Sequence, residues 1–148
     1  MSRAKRMQPV AELADKKADD AARALAEQRR RVDEQRNRLE QLQIFRNEYR
    51  AQLRSNAELG IDAHRLRDYH AFIARIDGAI RQQESAVERV ESQLPQYHGR
   101  WAEAWGRAKA LNRVVETHRH NERRSADKRE QQTIEEMVRR PGRGLGEE

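Results

Sequence analysis

Between Leu66 and Val115 apolar residues recur at alternating steps of three and four: Leu66, Tyr69, Ile73, Ile76, Ile80, Gln83, Val87, Val90, Leu94, Tyr97, Trp101, Ala104, Ala108, Leu111, Val115. Fourteen of these fifteen positions are apolar, Gln83 being the exception, and most residues between them are charged or polar. An apolar repeat of about 3.5 residues held over this length is a coiled-coil seam. A lone helix cannot bury such a stripe, so a partner helix is required.

A second stripe precedes it. One set of positions is Ala11, Ala18, Leu25, Val32, Leu39, Arg46 and Leu53; the other is Ala14, Ala21, Gln28, Gln35, Leu42 and Tyr49. Ten of the thirteen are apolar, which predicts a first helix over Pro9–Asn56 with Pro9 at its first position. The segment 54–62 (RSNAELGID) is the one good turn between the stripes. Gly60 suits a left-handed helix end, Asp62 an N-cap, and Ile61 with Leu66 a hydrophobic staple. So short a turn forces the helices antiparallel.

Matching the two seams puts Tyr49 opposite Ile73, Leu42 opposite Ile80, Leu25 opposite Tyr97, Ala21 opposite Trp101, Ala14 opposite Ala108 and Ala11 opposite Leu111. Small residues then meet the Tyr97–Trp101–Trp105 region, as packing needs. A slip of one heptad is the competing register. The predicted fold is therefore all-α, a long antiparallel two-helix coiled-coil hairpin, monomeric on its own.

Pro95 removes one backbone hydrogen bond and predicts a kink within the second helix, because the heptad phase survives across it. After Val115 the seam positions turn polar: His118, Glu122, Ser125, Arg129, Gln132 and Glu136. The predicted layout is a flexible N-terminus at 1–8, helix one at 9–56 and a turn at 57–62. A second helix follows at 63–138, overhanging its partner from 116, and then a disordered tail at 139–148.

Composition narrows the classes. Charged residues are 38%, hydrophobic residues 36%, and the mean hydropathy is -1.19, which is too polar for a large globular core. No cysteine is present, so disulfide and thiolate chemistry are excluded. No apolar run approaches the ~18 residues of a membrane span. The segment Met1–Pro9 has basic residues with no apolar stretch behind them, unlike a secretory signal.

The net charge of +6 invites nucleic acid as a partner. However, Lys/Arg against Asp/Glu number 14 to 10 over residues 1–60, 9 to 7 over 61–115 and 8 to 8 over 116–148. Both signs are interspersed throughout, unlike a basic arm. A nucleic-acid-associated coiled coil and a purely structural one, dimerising through parallel helices, are the alternatives. Gly60–Asp62 count against the second.

No enzyme or cofactor signature is present: no Gly-rich phosphate loop, no catalytic Ser/His/Asp order, no Cys/His metal spacing. His118 and His120 stand two apart, on different helix faces, and read as exposed histidines. Arg29, Arg30 and Arg31 form a local basic cluster that reads as a solvated face rather than a phosphate site, with an acidic protein surface as its alternative partner.

Apolar side chains off the seam carry more information. Phe45 occupies a flanking g position on helix one, Phe72 and Ala79 take the equivalent place on helix two, and Ile44 lies further out. With Leu42, Tyr49, Ile76 and Gln83 they make a row near the turn. Two readings stand: rings that lap over the seam, or an exposed patch that docks a partner. Trp101 reads as core, and Trp105, off the strict seam, as a weaker contact candidate.

The stretches LADKKADDAARALAEQRRRVDEQ (Leu13–Gln35), FRNEYRAQL (Phe45–Leu53) and RLRDYHAFIARIDGAIRQQ (Arg65–Gln83) resemble the flagellar export protein FliJ family. DDAAR at Asp19–Arg23, NEYR at Asn47–Arg50 and the Tyr69–Ile73 run carry the resemblance. It implies a non-enzymatic protein of the flagellar type III export apparatus. That protein is cytoplasmic, peripheral at the inner membrane, and similar in fold to the central stalk of rotary ATPases.

The implied partners are the hexameric export ATPase, the cytoplasmic domain of the export-gate membrane protein, and export chaperones. By resemblance the gate would be met by Leu42, Phe45, Tyr49, Phe72, Ile76, Ala79 and Gln83. The ATPase would be met by Leu13, Lys16, Lys17, Asp20 and Arg23, and by the overhang of helix two. Pro95 departs from an uninterrupted stalk.

Overall fold

The computed structural model describes residues 2–140; of the tail expected at 139–148, Arg139 still belongs to the second helix and 141–148 lie outside the described residues. Two helices account for the fold, α1 over Arg3–Glu58 and α2 over Ala63–Arg139, with no strand among the described residues. The turn is built as its chemistry dictates. Gly60 takes φ 88°, and its N–H donates to the Ala57 carbonyl at 3.2 Å. The Asp62 carboxylate accepts the Arg65 N–H at 2.8 Å and caps α2.

The first helix starts earlier than the sequence pattern predicts. Residues 3–8 are helical rather than flexible, and Pro9 lies inside α1. The Ser2 hydroxyl accepts the Lys5 N–H at 3.2 Å, satisfying one of the open donors of the first turn. The Ala4 N–H is taken by Glu122 of α2 at 3.3 Å, and Ala4 itself is buried. A local cap from Ser2 and a tertiary partner in Glu122 thus extend α1 beyond its apolar repeat.

The described residues form two compact units. The first comprises 2–19 and 103–140. Its core is alanine on both helices: Ala14, Ala18 and Ala108 are buried together, with Ala104 and Leu111 packed against them. Asn112 donates to Asp15 at 2.7 Å, and Arg119 donates to Gln8. Residue numbers rise on one helix as they fall on the other, so the pairing is antiparallel. The predicted overhang from 116 is corrected by these contacts. Val115 is buried, Glu122 reaches Ala4, and only from Arg123 onward is every described residue of α2 exposed.

The second unit comprises residues 20–102. Leu25, Val32, Ile73, Ile76, Ile80 and Val87 are its buried apolar stripe. The helices are antiparallel here too, shown by Gln28 with Gln93, Gln83 with Gln35, and Asn56 with Tyr69. The Tyr49 ring lies 5.1 Å from Tyr69 and 4.6 Å from Phe72; a one-heptad slip would set it against Leu66. α2 remains helical on both sides of Pro95.

Candidate docking surface

The half of the second unit next to the turn has two dissimilar edges. The e positions Arg36, Arg50, Asp77 and Glu91 carry charge. Arg36 pairs with Glu91 at 2.7 Å, and Asp77 pairs with Arg46, a seam residue, at 3.3 Å and with Arg50 at 3.7 Å. Half-exposed pairs of this kind contribute little to stability individually. They nevertheless keep that edge polar.

On the opposite edge three g positions carry rings or a small apolar side chain, Phe45 on α1 and Phe72 and Ala79 on α2, while Arg38 and Gln52 flank Phe45 in the same row. Four rings join there. Phe45 stands edge-on to Phe72 at 6.2 Å and tilted to Tyr49 at 6.3 Å; Tyr49 meets Phe72 and Tyr69. Offset and edge-to-face rings at these separations attract beyond their buried area. The cluster is still not closed over. Phe45 is 46% exposed and Ile44 49%. The rings thus lap over the seam, and an apolar face still remains in solvent.

Of the seven residues singled out for the gate, Phe45 is exposed, and Leu42, Tyr49, Phe72, Ala79 and Gln83 are half-buried. Ile76 is buried at 6% exposure and supports the face from beneath. The Gln83 amide is engaged, donating to the Gln35 backbone carbonyl at 2.9 Å. Tyr69 belongs to the ring cluster although its seam position marked it only as core. Its place three residues before Phe72, one helical turn away, was the available signal.

Leu13, Lys16, Lys17, Asp20 and Arg23 are all exposed on α1. The first three belong to the first unit and the last two to the second. In the first unit Trp105 is 49% exposed, and Lys109 Nζ lies 5.1 Å from its ring centroid. Arg30 donates two hydrogen bonds to Glu27 at 2.7 Å, which hold the Glu27 carboxyl below its ordinary range and raise the guanidinium.

No group of three or more His, Cys, Asp or Glu is placed to hold a metal among the described residues. No helix among them is long and apolar enough to cross a membrane.

A family model described as "Flagellar FliJ protein" matches residues 3–143. A flagellar FliJ protein of Escherichia coli (strain K12) is 31% identical over 105 residues, 71% of either chain. One of Salmonella typhi is 37% identical over 76 residues, 51% of this chain and 52% of its own length. No solved structure matches.

Proposed function

The chain belongs to the flagellar FliJ protein family, and on that premise we propose that it is a non-enzymatic coupling component of the flagellar protein-export apparatus. The ring-lined edge at Phe45, Tyr49 and Phe72 docks the cytoplasmic domain of the export-gate membrane protein. The exposed stretch Leu13–Arg23 and the far end of α2 meet the export ATPase, promote its ring assembly and bias its subunits between states. Export chaperones are further partners. The protein works at the cytoplasmic face of the inner membrane, at the flagellar base.

One observation carries the gate assignment: in the second unit the cross-helix ion pairs lie along the e edge, while an open aromatic cluster occupies the g edge. Phe45 stabilises the coil through its ring contacts, yet leaves 46% of its surface in solvent, where a partner can cover it. Aromatic side chains in partly formed apolar recesses are the usual anchors of interfaces.

The test is binding of the purified gate domain to Phe72→Ala. With helix content preserved, affinity for the gate falls about tenfold or more, as for an anchor worth over ~1.4 kcal/mol. ATPase binding is unaffected. Unchanged gate affinity sinks the assignment. Separately, a substoichiometric amount of the protein raises ATP hydrolysis by the export ATPase at fixed salt; no effect despite binding removes the stalk role.

A further inference from the structure

The ring cluster is tied to the end of the hairpin by one polar contact. Asn56, near the C-terminal end of α1, donates its Nδ2 to the hydroxyl of Tyr69, early in α2. The Tyr69 ring lies 5.1 Å from Tyr49, Tyr49 lies 4.6 Å from Phe72, and Phe72 stands 6.2 Å from Phe45. Asn56 and Tyr69 are half-buried, as are Tyr49 and Phe72. The exposed Phe45 is the last ring in a chain whose first link is an amide hydrogen bond.

We infer that Asn56 and Tyr69 are positioning residues of the docking surface, holding Tyr49 and Phe72 in the arrangement the partner meets. This rests on the gate assignment above. A docking face of tilted rings binds in proportion to the fraction of time it is assembled. With Asn56 engaged, the Tyr69 ring loses rotational freedom before the partner arrives, and Tyr49 is confined between Tyr69 and Phe72. Without it, that ordering cost falls on binding itself, at about the cost of one immobilised side chain.

Three variants test this in the full chain: Asn56→Ala, Tyr69→Phe and Asn56→Asp. Asparagine donates to the tyrosine oxygen; a carboxylate in its place accepts the tyrosine O–H, so the link is kept with its direction reversed. A carboxylate near a helix C-terminus opposes the helix dipole, so Asn56→Asp lowers the melting temperature while preserving the link. Affinity and stability thus move apart, which a merely structural contact would not allow.

The readout is calorimetric titration with the cytoplasmic gate domain, well below each variant's melting temperature. Asn56→Ala and Tyr69→Phe each weaken binding about three- to tenfold. The double variant loses no more than either single one, because both break the same link. Asn56→Asp binds as the parent does. Parent-like affinity of both single variants, or additive losses in the double, overturns the inference. If Phe72→Ala weakens binding in the same series, the gate assignment survives that result. If Phe72→Ala also binds as the parent does, the assignment itself has failed.

Discussion

Gln83 of α2 donates through Nε2 to both the backbone carbonyl of Gln35 on α1, at 2.9 Å, and its side-chain carbonyl, at 2.7 Å. These two residues are polar exceptions in otherwise apolar stripes, one on each helix, and they are each other's partner. The other exceptions are also engaged. Gln28 donates to the Val90 carbonyl at 2.9 Å and to Gln93 at 3.3 Å, and Arg46 pairs with Asp77 at 3.3 Å. A slip of seven residues would set Gln35 against Ile76 or Val90, burying its amide without this partner. Polar seam residues thus select register at some cost in stability.

Gln28 shows that cost. It is 1% exposed, and among the described residues nothing donates to its Oε1. An unpaired buried amide oxygen costs ~1–3 kcal/mol. Gln28→Leu is expected to raise the urea midpoint by the equivalent of about 1 kcal/mol, the lost Val90 bond offsetting part of the gain. Light scattering of the same variant should show more than one oligomeric species as register loosens. A lower midpoint would mean the hydrogen bonds outweigh the unpaired oxygen.

Pro95 is exposed within α2. Its ring denies the Glu91 carbonyl a donor. Pro95→Ala restores that donor and is expected to stabilise the chain by about 1–3 kcal/mol in urea unfolding. A destabilised variant would show that the local geometry around proline is used in packing.

Gly60 ends α1 with φ 88°, and a Cβ built there meets nothing within 4 Å. The cost of a side chain is therefore conformational alone. Gly60→Ala is expected to lose about 1 kcal/mol and Gly60→Asn less, because asparagine tolerates the left-handed region. Thermal melts of the pair check the order.

Arg30 depresses the Glu27 carboxyl through its side-chain hydrogen bond first and its charge second. A carboxylate whose folded-state pKa is lowered adds stability above its unfolded value, lost as pH falls through the folded one. Stability from this pair is thus present at neutral pH and disappears in acid below the ordinary glutamate range. Both side chains are well exposed, so solvent screens the effect. Glu27→Gln is expected to leave the neutral-pH melting temperature within error of the parent and to flatten the acid limb slightly.

Much of this protein was determined by its sequence alone. The heptad stripes, the Gly60–Asp62 turn and the antiparallel pairing follow from local chemistry: side-chain periodicity, one left-handed glycine and one capping carboxylate. The off-seam Phe45 and Phe72 were legible too, because a g position beside a two-stranded seam has too little partner surface to bury a ring. Other features needed the second helix in place. α1 reaches Arg3 because Glu122 waits across from Ala4, a contact 118 residues away in sequence. The α2 overhang starts later for the same reason. Which polar seam residues satisfy one another, and that Tyr69 meets both the Tyr49 ring and the Asn56 amide, are settled by pairing between the two helices. Periodicity says that a residue faces the other helix; only the packed pair decides which atom it meets.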